Sequence, residues 1–419
     1  MKNKNTILMI ISAFTLMAVI FQACNNDSEP QDLNIDSMTV GDLDLNSADS
    51  PDNVPVDAGI EITFNSNINE ETATSNNITL VQDYDEADIP LDISVDGTTL
   101  TLQPEEVLAA GTLYQLNLRS GLLNSDDQPL GETSRTFSTA GTFTPSGAIA
   151  HWTFEDSPDD IVGNYDASAE IDIDYTASRN DEAGLAATFN GNTSIIEIPN
   201  GDDLMNAEEF TLSFWVRTNS EGHVNENGDP AGHFVMGLAA HLGFQFEIPA
   251  DYSWMKIPAS IELTDGTIRG GGDLFWNGDG MTRDNDGWQG TTLNDEEDIE
   301  SLAKDTWMHV TYLFNGPEKI RSLYVNGEPR IEHDFSLWPE DAEERMVIGM
   351  AYGGEEPDVY PELAFGFVHS RAGTMWDEEP WGGYDIPTAN HFKGQLDDVK
   401  IYHQVLTETE IQLMYASEN

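Results

Sequence analysis

Apolar and polar residues alternate in short runs between residues 38 and 140, and turn-forming residues separate the runs. A run such as GIEITFNS (59–66) turns every second side chain to one face, as a half-buried β-strand does. LDISVDGTTLTLQP (91–104) sets Asp96 and Gly97 between two such runs, which predicts a β-hairpin. Strands of this length and spacing predict a β-sandwich of the immunoglobulin type.

The alternation resumes after a short Gly- and Pro-containing linker at 141–147 and continues through residues 148–419. Most runs alternate as antiparallel strands with one buried face do. Thr407 and Glu410 have the T-x-x-E spacing of a capping box, which predicts a helix over about 408–416. The strand candidates are AIAHWTFED (148–156), GLAATFNG (184–191), EFTLSFWVRT (209–218), DTWMHVTYLFNG (305–316), RSLYVNGEP (321–329), RMVIGMA (345–351) and FKGQLDDVKIYHQVL (392–406).

Three strings of the first domain, in order, resemble the bacterial Ig-like domain of the S-layer (SbsA) type. They are SPDNVPVDAGIEITFNSNI, VDGTTLTLQPEEVLAAGTLYQLNL and RTFST. The resemblance implies that residues 38–140 form a spacer or stalk. No histidine cluster, paired carboxylates or Gly-rich phosphate loop in the sequence of this domain points to another role.

The second domain resembles the laminin-G-like jelly roll of the concanavalin A-like superfamily. The matching strings are W-x-F-E-D, F-T-L-S-F-W-V-R, W-M-H-V-T-Y, L-Y-V-N-G and F-K-G-Q-L-D-D-V-K-I-Y, in the family's order. The expected fold class is therefore all-β, with an Ig-like sandwich followed by a concanavalin A-like jelly-roll sandwich. Members of this superfamily mostly bind glycans or mediate adhesion, and some lyases and glucanases share the fold. The site, and not the fold, therefore has to decide the function.

Residues 1–23 have the layout of a signal peptide, because lysines precede an apolar run at 7–21 that is short for a membrane span. Cys24, the single cysteine, follows directly. This arrangement resembles the lipobox of bacterial lipoproteins, which implies lipidation of Cys24 and anchoring through acyl chains alone. The alternative is an ordinary signal peptide with an incidental cysteine. Residues 24–37 are expected to form an acidic tether, and their acids resemble the surface-export signal of Bacteroidetes lipoproteins, which implies the cell-surface side of the outer membrane.

The chain is strongly acidic, with 76 Asp and Glu against 17 Lys and Arg and a net charge of −59. Such a surface repels nucleic acid and anionic lipid headgroups, so neither is an expected partner. Adaptation to a salty environment explains this charge more simply than a role in cation storage.

Two loops that the short family pattern lacks, at 270–290 and 369–387, carry tryptophans on Gly-, Asn- and Asp-rich backbone. Aromatic faces stack on the C–H faces of sugars, while carboxylates and amides bind the hydroxyls. The sequence therefore predicts a glycan-binding surface, although each tryptophan could instead pin its own loop to the sheet. The expected ligand-binding residues are Trp276, Trp288, Trp376, Trp381 and Tyr384.

Leu396 and Val399 both have the character of core residues, yet their spacing breaks strict alternation. A bulge at Asp397–Asp398 would restore the register and turn a carboxylate sideways. Many proteins of the resembling family hold a structural Ca²⁺ near the first and last strands, and Ca²⁺ takes several oxygen ligands. The resemblance thus implies a Ca²⁺ site at Asp397, with Asp156 and Asn164 as partners. The alternative is that these are solvated turn residues.

Glu296, Asp298 and Glu300 form the pattern E-x-D-x-E, which is the spacing of retaining glucanases on a lectin-like sandwich. Their neighbours are polar, Ile299 is the one apolar residue inside the pattern, and the next strand candidate begins at Trp307. The flanks therefore predict an acidic loop and not a catalytic strand. The sequence also has no zinc-ligand spacing, nucleophile elbow or P-loop.

Three functions remain compatible with this sequence. The favoured one is a surface-anchored lipoprotein whose second domain binds an extracellular poly- or oligosaccharide without turnover, with the Ig-like domain as spacer. The second is a glycoside hydrolase or polysaccharide lyase on the same fold, which needs a pair of carboxylates at a defined distance. The third is a protein-binding adhesin without sugar affinity. By analogy, an outer-membrane glycan transporter would be a natural partner.

Overall fold

The computed structural model describes residues 31–418 except residues 48, 282, 286–287, 294–295 and 388, and it describes only the backbone at 283–285 and 288–289. The chain forms two compact units that divide between Gly141 and Thr142. The expected signal peptide and the expected lipidation site Cys24 lie outside the described residues. In the described part, no helix is both long and apolar enough to cross a membrane.

The first unit is an Ig-like β-sandwich, as the sequence predicted. Its strands are β1 (Ile35–Val40), β2 (Leu43–Asp44), β3 (Ile60–Phe64), β4 (Ile78–Gln82), β5 (Asp88–Ile89), β6 (Leu91–Asp96), β7 (Thr99–Pro104), β8 (Leu113–Leu118) and β9 (Thr133–Ser138). Within the described residues, the strands of one sheet follow the order β2-β1-β3-β7-β6, and those of the other the order β5-β4-β8-β9. A short 3₁₀ helix, Glu70–Thr72, precedes β4.

Strict alternation buries one face of each sheet in the first unit. In β3, Ile60, Ile62 and Phe64 are buried, and the residues between them are not. The predicted hairpin forms between β6 and β7, where Asp96 pairs with Thr99. Its two-residue loop is therefore Gly97-Thr98, one position later than predicted, with Gly97 at a positive φ of 62°.

The second unit is a larger β-sandwich of the jelly-roll type. Its first strands are β10 (Ala148–Trp152), β11 (Ala169–Ile171), β12 (Asp174–Ala177), β13 (Leu185–Asn190), β14 (Ile195–Ile198), β15 (Glu209–Thr218), β16 (His233–Leu238), β17 (Phe244–Ile248) and β18 (Met255–Leu263). The remaining strands are β19 (Ile268–Trp276), β20 (Arg283–Asn285), β21 (Trp288–Thr292), β22 (Trp307–Asn315), β23 (Ile320–Val325), β24 (Glu328–Asp334), β25 (Val347–Met350), β26 (Leu363–Phe365) and β27 (Lys393–Tyr402).

These strands form two sheets in the described residues. The first has the order β12-β13-β27-β15-β22-β23-β24-β21-β20, with β10 also paired to β27. The second has the order β11-β14-β26-β16-β17-β18-β19, with β25 also paired to β18. The main core includes residues of both sheets, among them Phe214 of β15 and Phe246 of β17, whose rings meet edge to face at 5.1 Å.

Helices are few in the described part of the second unit. They are α1 (Asp202–Met205), α2 (Ile299–Ala303) and α3 (Glu408–Glu418), with short 3₁₀ turns at Ala240–Leu242, Phe335–Leu337 and Glu343–Met346. The predicted capping box is confirmed, because Glu410 N–H donates to Thr407 Oγ1 at 3.2 Å and Thr407 N–H donates to Glu410 Oε2 at 2.8 Å. Ile411 and Met414 are buried on the inner face of α3.

Candidate functional site

The second sheet of the second unit carries polar residues on the face opposite the core. In β17, Phe244, Phe246 and Ile248 belong to the core, and the pleat turns Gln245 and Glu247 to the other face. This strand has the sequence F-Q-F-E-I, in which the alternation is strict. The polar side chains therefore come from a strand whose position the core fixes.

The next two strands extend the polar face. Lys256 of β18 lies directly across from Glu247, and Asp273 of β19 lies across from Pro258. Ile257, between Lys256 and Pro258, belongs to the core. Three adjacent strands thus contribute one cluster of charged and amide groups.

The cluster is joined by short polar contacts. Lys256 Nζ lies 2.9 Å from Glu247 Oε1 and 3.4 Å from Asp273 Oδ2, and Gln245 Nε2 donates to Glu247 Oε2 at 2.8 Å. Burial raises the pKa of Glu247, while the charge of Lys256 acts in the opposite direction. Burial opposes the charge of Lys256, but the carboxylates of Glu247 and Asp273 outweigh it and raise the pKa of Lys256.

The side-chain oxygen of Gln245 is buried and has no hydrogen-bond partner among the described residues. Because Glu247 accepts from the amide nitrogen, the orientation of the amide is fixed by chemistry and Oε1 is the free acceptor. Gln245 is 4% exposed. A buried acceptor without a partner costs about 1–3 kcal/mol, so a donor on a ligand would be favourable here.

One wall beside this cluster is made by tryptophans of the segment 366–392. Trp376 and Trp381 have ring centroids 5.2 Å apart, and both lie near Phe234 of β16, at 6.4 and 6.3 Å. The Trp376 ring also stacks on His241 at 5.9 Å. Trp381 is 41% exposed, whereas Trp376 is half-buried. Trp376 therefore holds the segment in place, and Trp381 presents aromatic surface.

A second wall is made by Trp254, which precedes β18. Its ring packs on Phe275 at 5.4 Å, and Lys256 Nζ lies 5.5 Å from the ring centroid. Between the walls lies a cavity of about 430 Å³, called here the aromatic groove. This volume is within the range of roughly 300–1,000 Å³ usual for small-molecule sites. The groove is lined by Pro230, Gly232, Phe234, His241, Gln245, Glu247, Ile248, Pro249, Ala250, Trp254, Lys256, Pro258, Asp273, Trp376, Trp381 and Asn390.

Of the predicted ligand-binding residues, the structure brings Trp376 and Trp381 together in the groove. The prediction for Trp276 is wrong, because its ring is 2% exposed inside the core and cannot stack on a ligand. Tyr384 does not line the groove; its hydroxyl donates to Thr193 O at 2.7 Å and anchors the loop. The side chain of Trp288 lies outside the described residues.

Sequence reasoning missed the polar floor of the groove. Gln245, Glu247, Lys256 and Asp273 are spread over three strands, and a single sequence does not show which strands are neighbours. One signal was available: F-Q-F-E-I alternates aromatic residues with a glutamine and a glutamate that need partners on the other face. Trp254 lay outside the tryptophan loops on which the prediction concentrated.

The bulge predicted at Asp397–Asp398 is confirmed. The register of β15 against β27 shifts between Ser213 and Trp215, and Asp398 has a positive φ of 46°. Arg179 donates to both carboxylates, through Nη1 to Asp397 Oδ2 and through Nη2 to Asp398 Oδ2 at 2.7 Å. A guanidinium therefore neutralises Asp397, which was expected to bind Ca²⁺, together with its neighbour Asp398.

The residues at the bulge do not fit a Ca²⁺ site. Asp397 Oδ2 also accepts from Ser178, and its Oδ1 accepts from the Asp398 amide. Burial and the nearby Asp398 carboxylate raise the pKa of Asp397, while the charge of Arg179 acts in the opposite direction. Among the described residues, no three His, Cys, Asp or Glu side chains converge as a metal site requires.

The partners expected for Asp397 have other surroundings. Asp156 and Asn164 are exposed. The acid that organises this loop is Asp160, whose Oδ1 accepts from His151 N–H at 2.9 Å and whose Oδ2 accepts from Gly163 N–H at 2.9 Å. Spacing alone did not distinguish Asp160 from the other acids of FEDSPDD.

The acids of E-x-D-x-E lie outside any strand, as predicted. Glu296 and Asp298 precede the short helix α2, which the sequence had not predicted, and Glu300 lies in its first turn and pairs with Lys304 at 2.6 Å. Glu297 pairs with Arg330 at 3.2 Å. The motif is therefore part of a surface loop and helix, and no strand aligns its carboxylates.

A second cavity, of about 510 Å³, lies beside Arg217 and differs in chemistry. Its lining includes no tryptophan, and its polar groups bind one another. Gln395 Nε2 donates to Thr176 Oγ1 at 2.9 Å, and Thr176 Oγ1 lies 2.6 Å from Thr188 Oγ1. The aromatic groove is thus the better candidate, since it combines open aromatic surface with an acceptor that needs a donor.

Comparison with known proteins supports the first domain directly. Residues 43–139 match the family model of the bacterial Ig-like domain. No curated protein matches the chain.

The solved structures that resemble the chain are distant. The receptor-binding domain of botulinum neurotoxin type G has 15% identity and a TM-score of 0.37, over 65% of this chain and 51% of that one. The botulinum neurotoxin serotype D ligand-binding domain, in complex with N-acetylneuraminic acid, has 12% identity and a TM-score of 0.40, over 64% and 50%. Domain 4 of AbnA, a GH43 extracellular arabinanase from Geobacillus stearothermophilus, in complex with arabinotriose, has 17% identity and a TM-score of 0.35, over 64% and 97%.

This chain spans about half the length of the toxin domains, which are covered over 51% and 50%. None of these likenesses assigns a ligand to it.

Proposed function

We propose that the second unit binds an extracellular oligo- or polysaccharide in the aromatic groove and does not cleave it. The observation that supports this most is the buried, unpartnered Gln245 Oε1 on the floor of a groove with an exposed tryptophan at its wall. A sugar ring offers what both groups need, since its C–H face stacks on an indole and its hydroxyls donate hydrogen bonds. The Ig-like domain then acts as a spacer.

The groove also contains the polar groups that orient a sugar. The carboxylates of Glu247 and Asp273 accept from hydroxyls, and Lys256 and Asn390 can donate to them. Asn390 Oδ1 accepts from Gly232 N–H at 3.0 Å, which leaves its amide nitrogen to donate. Trp381 packs near Phe234 of β16 and Trp254 on Phe275 of β19, and both line the groove, so each offers an aromatic surface to a ligand there.

The proposal includes a place at the cell surface, with Cys24 as the lipid attachment site. This part rests on the resemblance of residues 1–24 to a lipoprotein signal and on the acidic residues that follow. Metabolic labelling with a fatty-acid analogue should mark the wild-type protein and not Cys24→Ser. Label on the serine variant would contradict lipidation at this residue. A transporter as partner rests on analogy alone.

The binding proposal is tested with a glycan array followed by calorimetry on the glycans that bind. Trp381→Ala should weaken binding by about 30-fold, because truncating a central aromatic side chain at a binding surface costs about 2 kcal/mol. Gln245→Ala should also weaken it, through the loss of an acceptor. The control is Leu337→Ala, which removes an apolar side chain of 56% exposure outside the groove. Unchanged affinity in Trp381→Ala would contradict binding at this site.

Hydrolysis in the same groove is the second candidate, because burial raises the pKa of Glu247 and a second carboxylate, Asp273, shares its lysine. The ion pairs with Lys256 oppose this function, since a general acid must keep its proton. An assay for new reducing ends, run on every glycan that binds, distinguishes binding alone from hydrolysis. New reducing ends that form with the wild type and not with Glu247→Gln would favour hydrolysis.

A further inference from the structure

The charges of the aromatic groove restrict the kind of glycan it accepts. The acidic and basic side chains of its lining are Glu247, Asp273 and Lys256, together with His241, whose pKa burial lowers. Two carboxylates against one ammonium leave one net negative charge. The whole chain carries a net charge of −59, so its long-range field has the same sign.

The single ammonium of the groove is already paired. Lys256 Nζ lies 2.9 Å from Glu247 Oε1 and 3.4 Å from Asp273 Oδ2, on neighbouring strands. A ligand carboxylate or sulfate that approached Lys256 would have to come close to both acids. Like charges brought together in this way cost several-fold in affinity at least.

The hydrogen-bonding groups of the groove also disfavour acidic ligands. Gln245 Oε1 lacks a donor, and the two carboxylates can only accept. The floor of the groove therefore favours a ligand rich in hydroxyl or amide donors. Carboxylate, sulfate and phosphate groups offer acceptors alone, so they would leave Gln245 Oε1 unpartnered.

We propose that the groove takes uncharged, hydroxyl-rich oligosaccharides and rejects glycans that carry uronate, sialate or sulfate groups at the bound residues. The proposal rests on the proposed function, and it names the class of glycan which that function leaves open. The observations that carry it are the two-to-one excess of carboxylates, the pairing of Lys256, and the free acceptor on Gln245.

The test uses the full chain and pairs of glycans of which one member carries an acidic group that the other lacks. Suitable pairs are methyl-esterified and free oligogalacturonides, desulfated and sulfated galactans, and asialo- and sialyl-oligosaccharides. Affinities are measured by calorimetry at fixed ionic strength. In each pair that binds, the uncharged member should bind at least about tenfold more tightly than the acidic one.

Two variants locate the source of the discrimination. Asp273→Asn should reduce the preference against acidic glycans several-fold, and the control Asp265→Asn, which removes one charge at the exposed turn before β19, should leave it unchanged. Equal or tighter binding of the acidic members, abolished by Trp381→Ala, would overturn this inference while the proposed function survives. Absence of binding to every member would overturn both.

Discussion

At the scale of single residues, the second unit buries titratable side chains that the binding site does not use. His309 of β22 is 1% exposed, lies beside the rings of Trp215 and Tyr415, and hydrogen-bonds through Nε2 to Ser213 Oγ at 2.8 Å. Burial lowers the pKa of His309 to about 3. At mildly acidic pH, His309 is therefore neutral in the folded protein and protonated in the unfolded chain.

This difference predicts how stability depends on pH. Between about pH 6.5 and 3 the unfolded chain carries a proton on this histidine and the native state does not, so the native state loses stability as the pH falls through this window. The loss amounts to about 1.4 kcal/mol per pH unit for one such group. Urea unfolding from pH 7 to pH 4 should show a shallower dependence in His309→Gln.

An identical slope in His309→Gln and in the wild type would contradict the assignment.

The tryptophans show which site residues could and could not be predicted from the sequence. Composition and loop context indicated Trp376 and Trp381 as ligand-binding residues, and both line the aromatic groove. The same reasoning failed for Trp276, because the end of β19 turns this ring inward and no local pattern distinguished it from a loop residue. Exposure depends on strand register, and register is set by neighbours that lie far away in the sequence.

At the scale of elements, α3 is attached to the sheet by a buried ion pair. Glu418 accepts from Lys400 Nζ through Oε1 and from Trp215 Nε1 through Oε2, the latter at 2.6 Å. Lys400 and Glu418 are 2% and 3% exposed. Arg179 Nε also donates to the Glu418 carbonyl and its guanidinium lies 4.7 Å from the Trp215 ring centroid, so the helix end and the bulge share one network.

Removing one partner of the Lys400–Glu418 ion pair should lower the free energy of unfolding substantially. Glu418→Gln leaves the Lys400 ammonium buried without its carboxylate partner, so we expect a loss of about 3–5 kcal/mol in the free energy of unfolding. In the double variant Lys400→Met, Glu418→Gln the loss should be clearly smaller than the sum of the two single variants. Chemical denaturation of all four proteins measures the coupling.

Glu408→Gln, an exposed substitution in the first turn of the same helix, should stay within about 0.5 kcal/mol. Additive losses in the double-mutant cycle would show that the pair does not couple.

The elements were the most predictable level of this protein. Alternation gave several strands of the second unit, T-x-x-E gave the start of α3, and the break of spacing at Leu396 and Val399 gave the bulge. Alternation did not give β16 to β21, and residues 270–290, expected as a loop, contain parts of three strands. The partner of the bulge could not be predicted, because Arg179 lies 218 residues away in sequence from Asp397. Nothing local indicates that a cation from another strand neutralises these acids.

At the scale of the whole molecule, the net charge of −59 sets how the protein responds to ions. Repulsion among surface carboxylates weakens the compact state at low ionic strength, and salt screens it. Divalent cations will also associate loosely with such a surface. A true Ca²⁺ site would add a specific effect on top of this general one.

We expect no such specific effect from the bulge, since Arg179 already neutralises Asp397 and Asp398. At matched ionic strength, Ca²⁺ and Mg²⁺ should raise the melting temperature of the chelator-treated protein equally. Differential scanning calorimetry measures this. A rise with Ca²⁺ alone, of several degrees, would contradict the description of the bulge and restore the expected metal site.

The function of the whole chain is less predictable from sequence than its fold. The two strand-rich halves and their order follow from alternation and turn residues. The floor of the aromatic groove does not, since it needs β17, β18 and β19 to be neighbours with Glu247 opposite Lys256. The sequence therefore predicted aromatic ligand contacts and missed the polar groups that determine which ligand fits.

The most direct test of the central claim is a crystal structure of the full chain with the oligosaccharide that binds best in the array. The account predicts a sugar ring stacked on Trp381 in the groove, with a hydroxyl within hydrogen-bond distance of Gln245 Oε1. A sugar bound in the cavity beside Arg217, or elsewhere on the molecule with the groove free of ligand, would contradict it.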